Sequence, residues 1–320
     1  MLNLNQLNLS GDSTKLLVHA NAHGKKVCKC QKPQNRNCDC KRFFNAPEAS
    51  WGYDAYHDCF VFGHSLYEFV SWTEPTEPTE PTEPKSYELP IYLMMATASR
   101  HDSVMATFGM HRIVNPNLKG FKVNYGCFDK AHDATDFYQL AHDSWKTQLF
   151  VPLNHTNEGN FKQLPMASIN AEGIPMCQQG FQMTPAGHCK DRDRIKWRCP
   201  LKLKTVASNS NSNSNCFCSF SSYGRVVYTH PKENPRLFPP IPRASKKWQD
   251  IYDHRTTSER VFKRQKNDFK LTAFKTRSKE RHLFYALLTA ICVHLETWYH
   301  QDNPDATPPT DPTDPTDPGG

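Results

Sequence analysis

The chain has 320 residues, 38% of them hydrophobic, and its 39 Lys and Arg against 32 Asp and Glu give a net charge of +7. That length allows one large domain with an embedded smaller one and an ample buried core. The N-terminus is polar and the longest apolar helical stretch, residues 283–293, is too short for a bilayer, so neither an export leader nor a membrane span is expected. The expected compartment is the cytoplasm, where the twelve cysteines stay reduced rather than form disulfides.

In chain order, Leu7-Asn8-Leu9-Ser10 alternates apolar with polar residues and breaks at Gly11. This predicts a short strand that ends by presenting Asp12, although an Asp before Ser-Thr is also a common turn or cap. Residues 60–70 read as a second strand. Residues 89–96 read as a third, nearly continuous in apolar residues and therefore expected to be buried. A helix follows toward Met110, with Asp102 or Ser103 near its start. Residues 122–128 predict a strand that delivers Asp129, 135–145 a helix, and 148–152 another strand. Asp133 is the rival of Asp129, but four residues later it is placed to cap the helix that holds Tyr138 and Leu140. Strands alternating with helices indicate an α/β fold.

The segment 248–269 reads as one helix carrying Tyr252, Arg255, Glu259 and Lys266, a Y-x2-R-x3-E-x6-K spacing. At about 100° per residue, offsets of three, seven and fourteen put all four side chains within roughly a 60° arc. Ile251, Phe262 and Phe269 flank that stripe and can pack it on a core. Any single pair in such a stripe reads equally well as a solvated helix face laced with ion pairs. From Arg243 to Arg281 there are 13 Lys and Arg against 5 Asp and Glu, so the excess charge sits on this segment. Interleaved with aromatics, it suits phosphate contacts with strongly salt-dependent affinity. A closing amphipathic helix is expected over 279–299.

Four residue types at these offsets resemble the C-terminal signature of DDE-type bacterial insertion-sequence transposases. The resemblance implies an RNase H-like catalytic core, residues 1–153 and 248–300, with a Cys-containing insertion over 154–247 before the Glu-bearing helix. It also implies that Asp12, Asp129 and Glu259 are the catalytic carboxylates and hold Mg²⁺ or Mn²⁺. Tyr252, Arg255 and Lys266 would meet DNA phosphates, and Asp133 would support the ligands from behind. In-line displacement at a phosphodiester builds charge on the attacking and leaving oxygens, and two divalent ions held by a few carboxylates stabilise both. The implied partners are DNA, as transposon ends and target, and a second copy of the chain; a membrane or a small-molecule substrate is not implied.

Cys28, Cys30, Cys38 and Cys40 form C-x-C-x7-C-x-C, four thiolates able to hold a structural Zn²⁺ or to remain plain reduced thiols. Cys177, Cys189, Cys199, Cys216 and Cys218 lie at irregular spacings in the expected insertion. The four Thr-Glu-Pro repeats of 73–84 and the three Thr-Asp-Pro repeats of 310–318, within a tail over 301–320, predict extended disordered chain. The Ser/Asn stretch 209–215 reads as a flexible piece of the insertion. Family members place a helical DNA-binding domain ahead of the first catalytic strand, and Asp12 follows the initiator Met too closely to leave room for one. The expectation is therefore an N-terminally truncated transposase, an enzyme if the site assembles. The alternatives are an inactive remnant that binds DNA or interferes with full-length transposase, a general nuclease on the same fold, and, last, a stand-alone zinc-binding module.

Overall fold

The computed structural model describes residues 6–28, 40–54, 57–73, 87–118, 120–154, 168–202 and 217–303. The fold is mixed α/β. Strand β1 (Leu7–Leu17) is followed by a two-residue pairing of β2 (Lys25–Lys26) with β3 (Arg42–Phe43), then by β4 (Ser50–Asp54), β5 (Cys59–Trp72) and β6 (Glu88–Thr97). Helix α1 (Asp102–Val114), β7 (Val123–Phe128), α2 (Thr135–Leu140) and β8 (Gln148–Phe150) complete the first half. β5 runs antiparallel to β1 and shares its other edge between β4 and β6, while β7 lies parallel to β1 and β8 parallel to β7. The six-stranded sheet runs β4-β5-β1-β7-β8, with β6 also paired to β5.

The period-two alternation of the strands sends side chains to both faces. Leu7, Leu9, Tyr67, Phe69 and Phe128 pack with Met105 and Met110 of α1 and with Phe137 and Tyr138 of α2. On the other face lie α3 (Lys246–Tyr252), α4 (Thr256–Lys263) and α5 (Lys279–Asp302). There Leu16 and Leu66 meet Phe262 and Ala286, while Trp72, Cys127 and Phe150 meet Trp248 and Ile251. Each fully buried side chain of this size contributes about 1.5–3 kcal/mol relative to exposure, so both faces are strongly specified.

β1 does not end at Asp12. It continues to Leu17 because Ser13 to Leu17 go on pairing with Tyr67 to Gly63 of β5. Gly11 is therefore not a breaker but a close-approach position. A Cβ there would lie 2.5 Å from Phe128 Cε1 and 2.8 Å from Tyr67 Oη. Gly11→Ala should lower stability by about 1–3 kcal/mol through overpacking, measured by denaturant melts. An unchanged midpoint would show that Phe128 has room to move. β6 also departs from expectation: only Leu89 and Pro90 are buried and the rest are half-buried, because β6 is the outer strand and α5 and α1 cover it only in part.

The expected helix over 248–269 is helical as far as Asp268 but changes pitch, and Phe269 caps its end. α3 passes through a 3-10 turn (Asp253–Arg255) into α4, and α4 into a π-helical turn (Arg264–Asp268). Ser245 caps α3 by accepting from the Trp248 N–H at 3.2 Å. Within residues 168–202 and 217–229 lie two small sheets, β9 (Ser168–Ile169) with β10 (Pro175–Met176), and β11 (Thr184–Cys189), β12 (Arg194–Arg198) and β13 (Val226–Thr229), the second with Ile195 and Trp197 in its core. Asp133 joins this part of the chain to the large sheet. It does not cap α2, whose N-cap is Ala134 without a side-chain bond. Instead it accepts from Arg236 Nε at 2.9 Å and Nη2 at 2.6 Å, and from the Asn154 N–H at 2.6 Å. Among the described residues no helix is long and apolar enough to cross a membrane.

Candidate active site

Asp12 and Asp129 stand side by side because β1 and β7 are parallel neighbours in register Gly11↔Phe128, and each aspartate is the next residue. Ser10 Oγ lies 2.5 Å from Thr257 Oγ1, so this side of β1 faces α4, and Asp12, two residues on, shares that side. The Ser13 N–H donates to Asp12 Oδ1 at 2.7 Å. Burial pushes the Asp12 carboxyl up to about 7, against that hydrogen bond; the charges of Asp129 and Asp102 push in the same direction as burial.

Asp129 is held differently. It caps a 3-10 turn (Lys130–His132), with Oδ1 accepting from the Ala131 N–H at 3.1 Å and from His132 Nδ1 at 2.6 Å. Burial alone would raise it, but His132, the Ala131 amide and Arg255 outweigh burial and leave it below the ordinary carboxylate value. His132 is fully buried, and its Nε2 lies 2.8 Å from Tyr67 Oη. Burial raises the Tyr67 phenol far above its usual value, so Tyr67 stays protonated and donates to Nε2. The imidazole must then carry its proton on Nδ1 and donate it to Asp129. Tyr67, His132 and Asp129 thus form a chain that fixes one carboxylate as an anion beside a second that is half-protonated near neutrality.

Glu68 is the cross-strand partner of Asp12. It is fully buried and accepts from Gln265 Nε2 at 2.9 Å, while Glu68 Oε2 and Gln265 Oε1 have no hydrogen-bond partner among the described residues. Burial, opposed by that bond, pushes its carboxyl up to about 8 from an ordinary 4.5. A proton on Oε2 supplies the donor this pair lacks. Because the folded value is the higher one, the stability tied to Glu68 is full below about 4.5 and is lost as pH rises through about 8. Glu68→Gln cannot ionise, so its melting temperature relative to wild type should climb between pH 5 and pH 9. A constant difference across that range would rule out the buried proton.

The helical stripe faces the same place. Arg255 Nη1 donates to Glu259 Oε1 at 2.6 Å and lies within electrostatic reach of Asp12 and Asp129. Tyr252 stacks on Trp248 at 4.8 Å, and burial raises its phenol. Burial lowers the Lys266 ammonium, against the pull of Asp54 and Asp12. Arg255 is thus within reach of both aspartates and Lys266 of Asp12, Tyr252 feels Asp129, and Glu259 is tied to this set through Arg255. Glu259 is half-exposed, and one of its oxygens is committed to Arg255. Among the described residues no three His, Cys, Asp or Glu side chains converge closely enough to hold a metal ion. Both oxygens of Asp133 are taken by Arg236 and Asn154. Cys28 and Cys40 are described and half-buried, whereas Cys30, Cys38 and Cys216 lie outside the described residues.

No protein-family model matches the chain, and no curated protein matches it. The reading of the site therefore rests on its own geometry. Two of its features were invisible in the sequence. Tyr67 and His132 meet from positions 65 apart, and neither carries a spacing signal. Asp102, at the start of α1, acts electrostatically on Asp12, and its Oδ1 is buried without a hydrogen-bond partner among the described residues. A third feature lies away from the aspartates. Arg194, Lys196 and Arg198 project from one face of β12, with Arg194 over the Tyr228 ring at 4.0 Å and Arg198 over the Tyr223 ring at 3.5 Å.

Proposed function

We propose that this chain is the RNase H-like catalytic core of a DDE-type insertion-sequence transposase, with Asp12, Asp129 and Glu259 as its acidic residues. The observation that carries the reading is the placement of Asp12 beside Asp129 on parallel neighbours, with Arg255 of the Y-x2-R-x3-E-x6-K segment reaching both. A mixed sheet, with β5 antiparallel and β7 and β8 parallel to the strand that carries Asp12, is compatible with an RNase H-like core, and residues 154–247 are read as its insertion.

Mg²⁺ or Mn²⁺ is the ion that this donor type suits, although among the described residues no third carboxylate converges on Asp12 and Asp129. The donors are hard carboxylate oxygens, Asp12 is destabilised as an anion by burial, and the orphaned Asp102 Oδ1 lies in the same electrostatic neighbourhood. Asp12 and Asp129 would hold the ion, which when bound polarises the scissile phosphate and activates the attacking oxygen. His132 and Tyr67 keep Asp129 ionised and oriented. Arg255, bidentate by nature, and Lys266, a point charge, suit the DNA backbone. A phosphate that takes the Arg255 guanidinium also releases the Glu259 oxygen now bound to it, so DNA binding and completion of the acidic set are coupled.

A second reading, a non-catalytic remnant that binds DNA through the basic 243–281 segment, is favoured by the Arg255–Glu259 pair itself. Incubation with supercoiled DNA and Mg²⁺ or Mn²⁺ separates the two. The catalytic reading expects nicking that Glu259→Gln abolishes. Salt-sensitive binding without cleavage, unchanged in that variant, would select the second reading.

A further inference from the structure

The middle strand of the three-stranded sheet, β12, alternates two kinds of side chain. Ile195 and Trp197 enter the core of that sheet, and Arg194, Lys196 and Arg198 stand on the opposite face. Two tyrosines lie among the cations. The Arg194 guanidinium is 4.0 Å from the Tyr228 ring centroid, Arg198 is 3.5 Å from that of Tyr223, and Lys196 Nζ is 4.7 Å from the same Tyr223 ring. Lys196 also donates to Tyr223 Oη at 2.7 Å, which holds ring and ammonium together. The acid that feels Arg194, Asp191, pairs with Arg192 at 3.6 Å. Among the described residues no carboxylate forms an ion pair with Arg194, Lys196 or Arg198, and Arg194 Nε and Arg198 Nε are buried without a hydrogen-bond partner. Three cations thus share one face with two rings and no counter-charge.

We propose that this face is the docking site of an acidic proline-repeat segment, residues 310–318 of the same chain. Residues 304–320 hold Asp305, Asp311, Asp314 and Asp317 and no Lys, Arg or His, so their charge complements the face. Pro at every third position favours an extended helix of three residues per turn, a form that aromatic-lined surfaces take up at low entropic cost. In that form Asp311, Asp314 and Asp317 recur along one edge about 9 Å apart, and Pro312, Pro315 and Pro318 along the next. Arg194 and Arg198 are four residues apart on a strand, roughly 13 Å, so two consecutive aspartates fit between their guanidinium groups while prolines meet Tyr223 and Tyr228. The tether is long enough. Asp311 and Asp317 can lie about 25 and 45 Å from Asn303, against a radius of gyration of roughly 20 Å for a folded chain of this length. A segment held this way acts at an effective concentration of about a millimolar and covers the face until a stronger polyanion displaces it. Docking here is independent of the chemistry at Asp12 and Asp129.

Fluorescence anisotropy with a labelled peptide of residues 304–320 tests the arrangement on two full-length chains, wild type and a triple variant carrying Asp311→Asn, Asp314→Asn and Asp317→Asn. The triple variant should bind the peptide about tenfold more tightly, because in wild type the chain's own segment already fills the face. Added salt should weaken that binding, and a peptide with the same three Asn should not compete for it. Introducing Arg194→Glu and Arg198→Glu into the triple variant should abolish it, with circular dichroism unchanged. The peptide exchange leaves the protein untouched, so it decides the matter even where the Arg exchange misfolds. Equal peptide binding by wild type and triple variant, no binding by either, or competition by the Asn peptide would each overturn the proposal. Binding of a short DNA duplex to this face with equal affinity in wild type and triple variant would overturn it too.

Discussion

Asp12→Asn and Asp129→Asn are each expected to lower divalent-ion-dependent DNA cleavage by about 10³-fold or more, roughly 4 kcal/mol of transition-state stabilisation. The two losses should not add, because both carboxylates act on the same charge. Folding should survive in each case. Asn at position 12 removes a carboxylate that burial already disfavours, and its side-chain oxygen still accepts from the Ser13 N–H. Arg255→Ala should behave differently, weakening DNA binding and its salt dependence while freeing Glu259. Initial nicking rates at saturating Mn²⁺, with binding measured in parallel, separate these patterns. Equal small losses in all three variants would mean that the aspartates serve the fold rather than the reaction.

The second large effect lies in stability. Asp133 and Arg236 are both buried and joined by two hydrogen bonds across 103 residues. Breaking such a pair leaves an uncompensated buried charge, at a cost of about 3–5 kcal/mol. Arg236→Met should therefore lower the melting temperature by about 10 °C. Asp133→Leu combined with Arg236→Met should recover part of that loss, since no charge is then stranded. Arg243 reinforces the same junction by donating to Tyr138 Oη and to the Arg236 carbonyl, both at 2.8 Å, so its replacement should cost less. A Tm drop of only 1–2 °C for Arg236→Met would show that water reaches Asp133.

Local pattern carried much of the architecture. The apolar residues of 60–70 and the 3.6-residue period of 248–269 are properties of neighbouring residues; β5 forms over the first, and the second is helical with a 3-10 and a π turn along it. Asp129 follows its strand for the same reason. The misreadings share a different cause. Gly11 looks like a breaker in sequence, but Phe128 and Tyr67, from two other strands, require it to lack a side chain. Asp133 has the position of a helix cap, yet Arg236 arrives from over a hundred residues away and takes its oxygens. The strand 89–96 is as apolar as a central strand, and only the sheet order reveals that it is an outer one. The state of Asp12 was likewise hidden, because its proton affinity is set by burial and by Asp129 across the sheet. Residues 284–299 carry apolar side chains on two sides of α5, so the simple amphipathic pattern expected over 279–299 does not describe it.

On the proposed reading, Asp12 and Asp129 form one divalent-cation site that DNA completes through Arg255 and Glu259. Calorimetric titration of Mn²⁺ into the chain, with and without a short duplex DNA, tests it most directly. Weak binding to the chain alone is expected, with tighter binding when DNA is present, loss of both in Asp12→Asn and in Asp129→Asn, and loss of only the DNA-dependent gain in Glu259→Gln. Mn²⁺ binding that is identical in wild type and all three variants, or absent even with DNA at millimolar Mn²⁺, would contradict it.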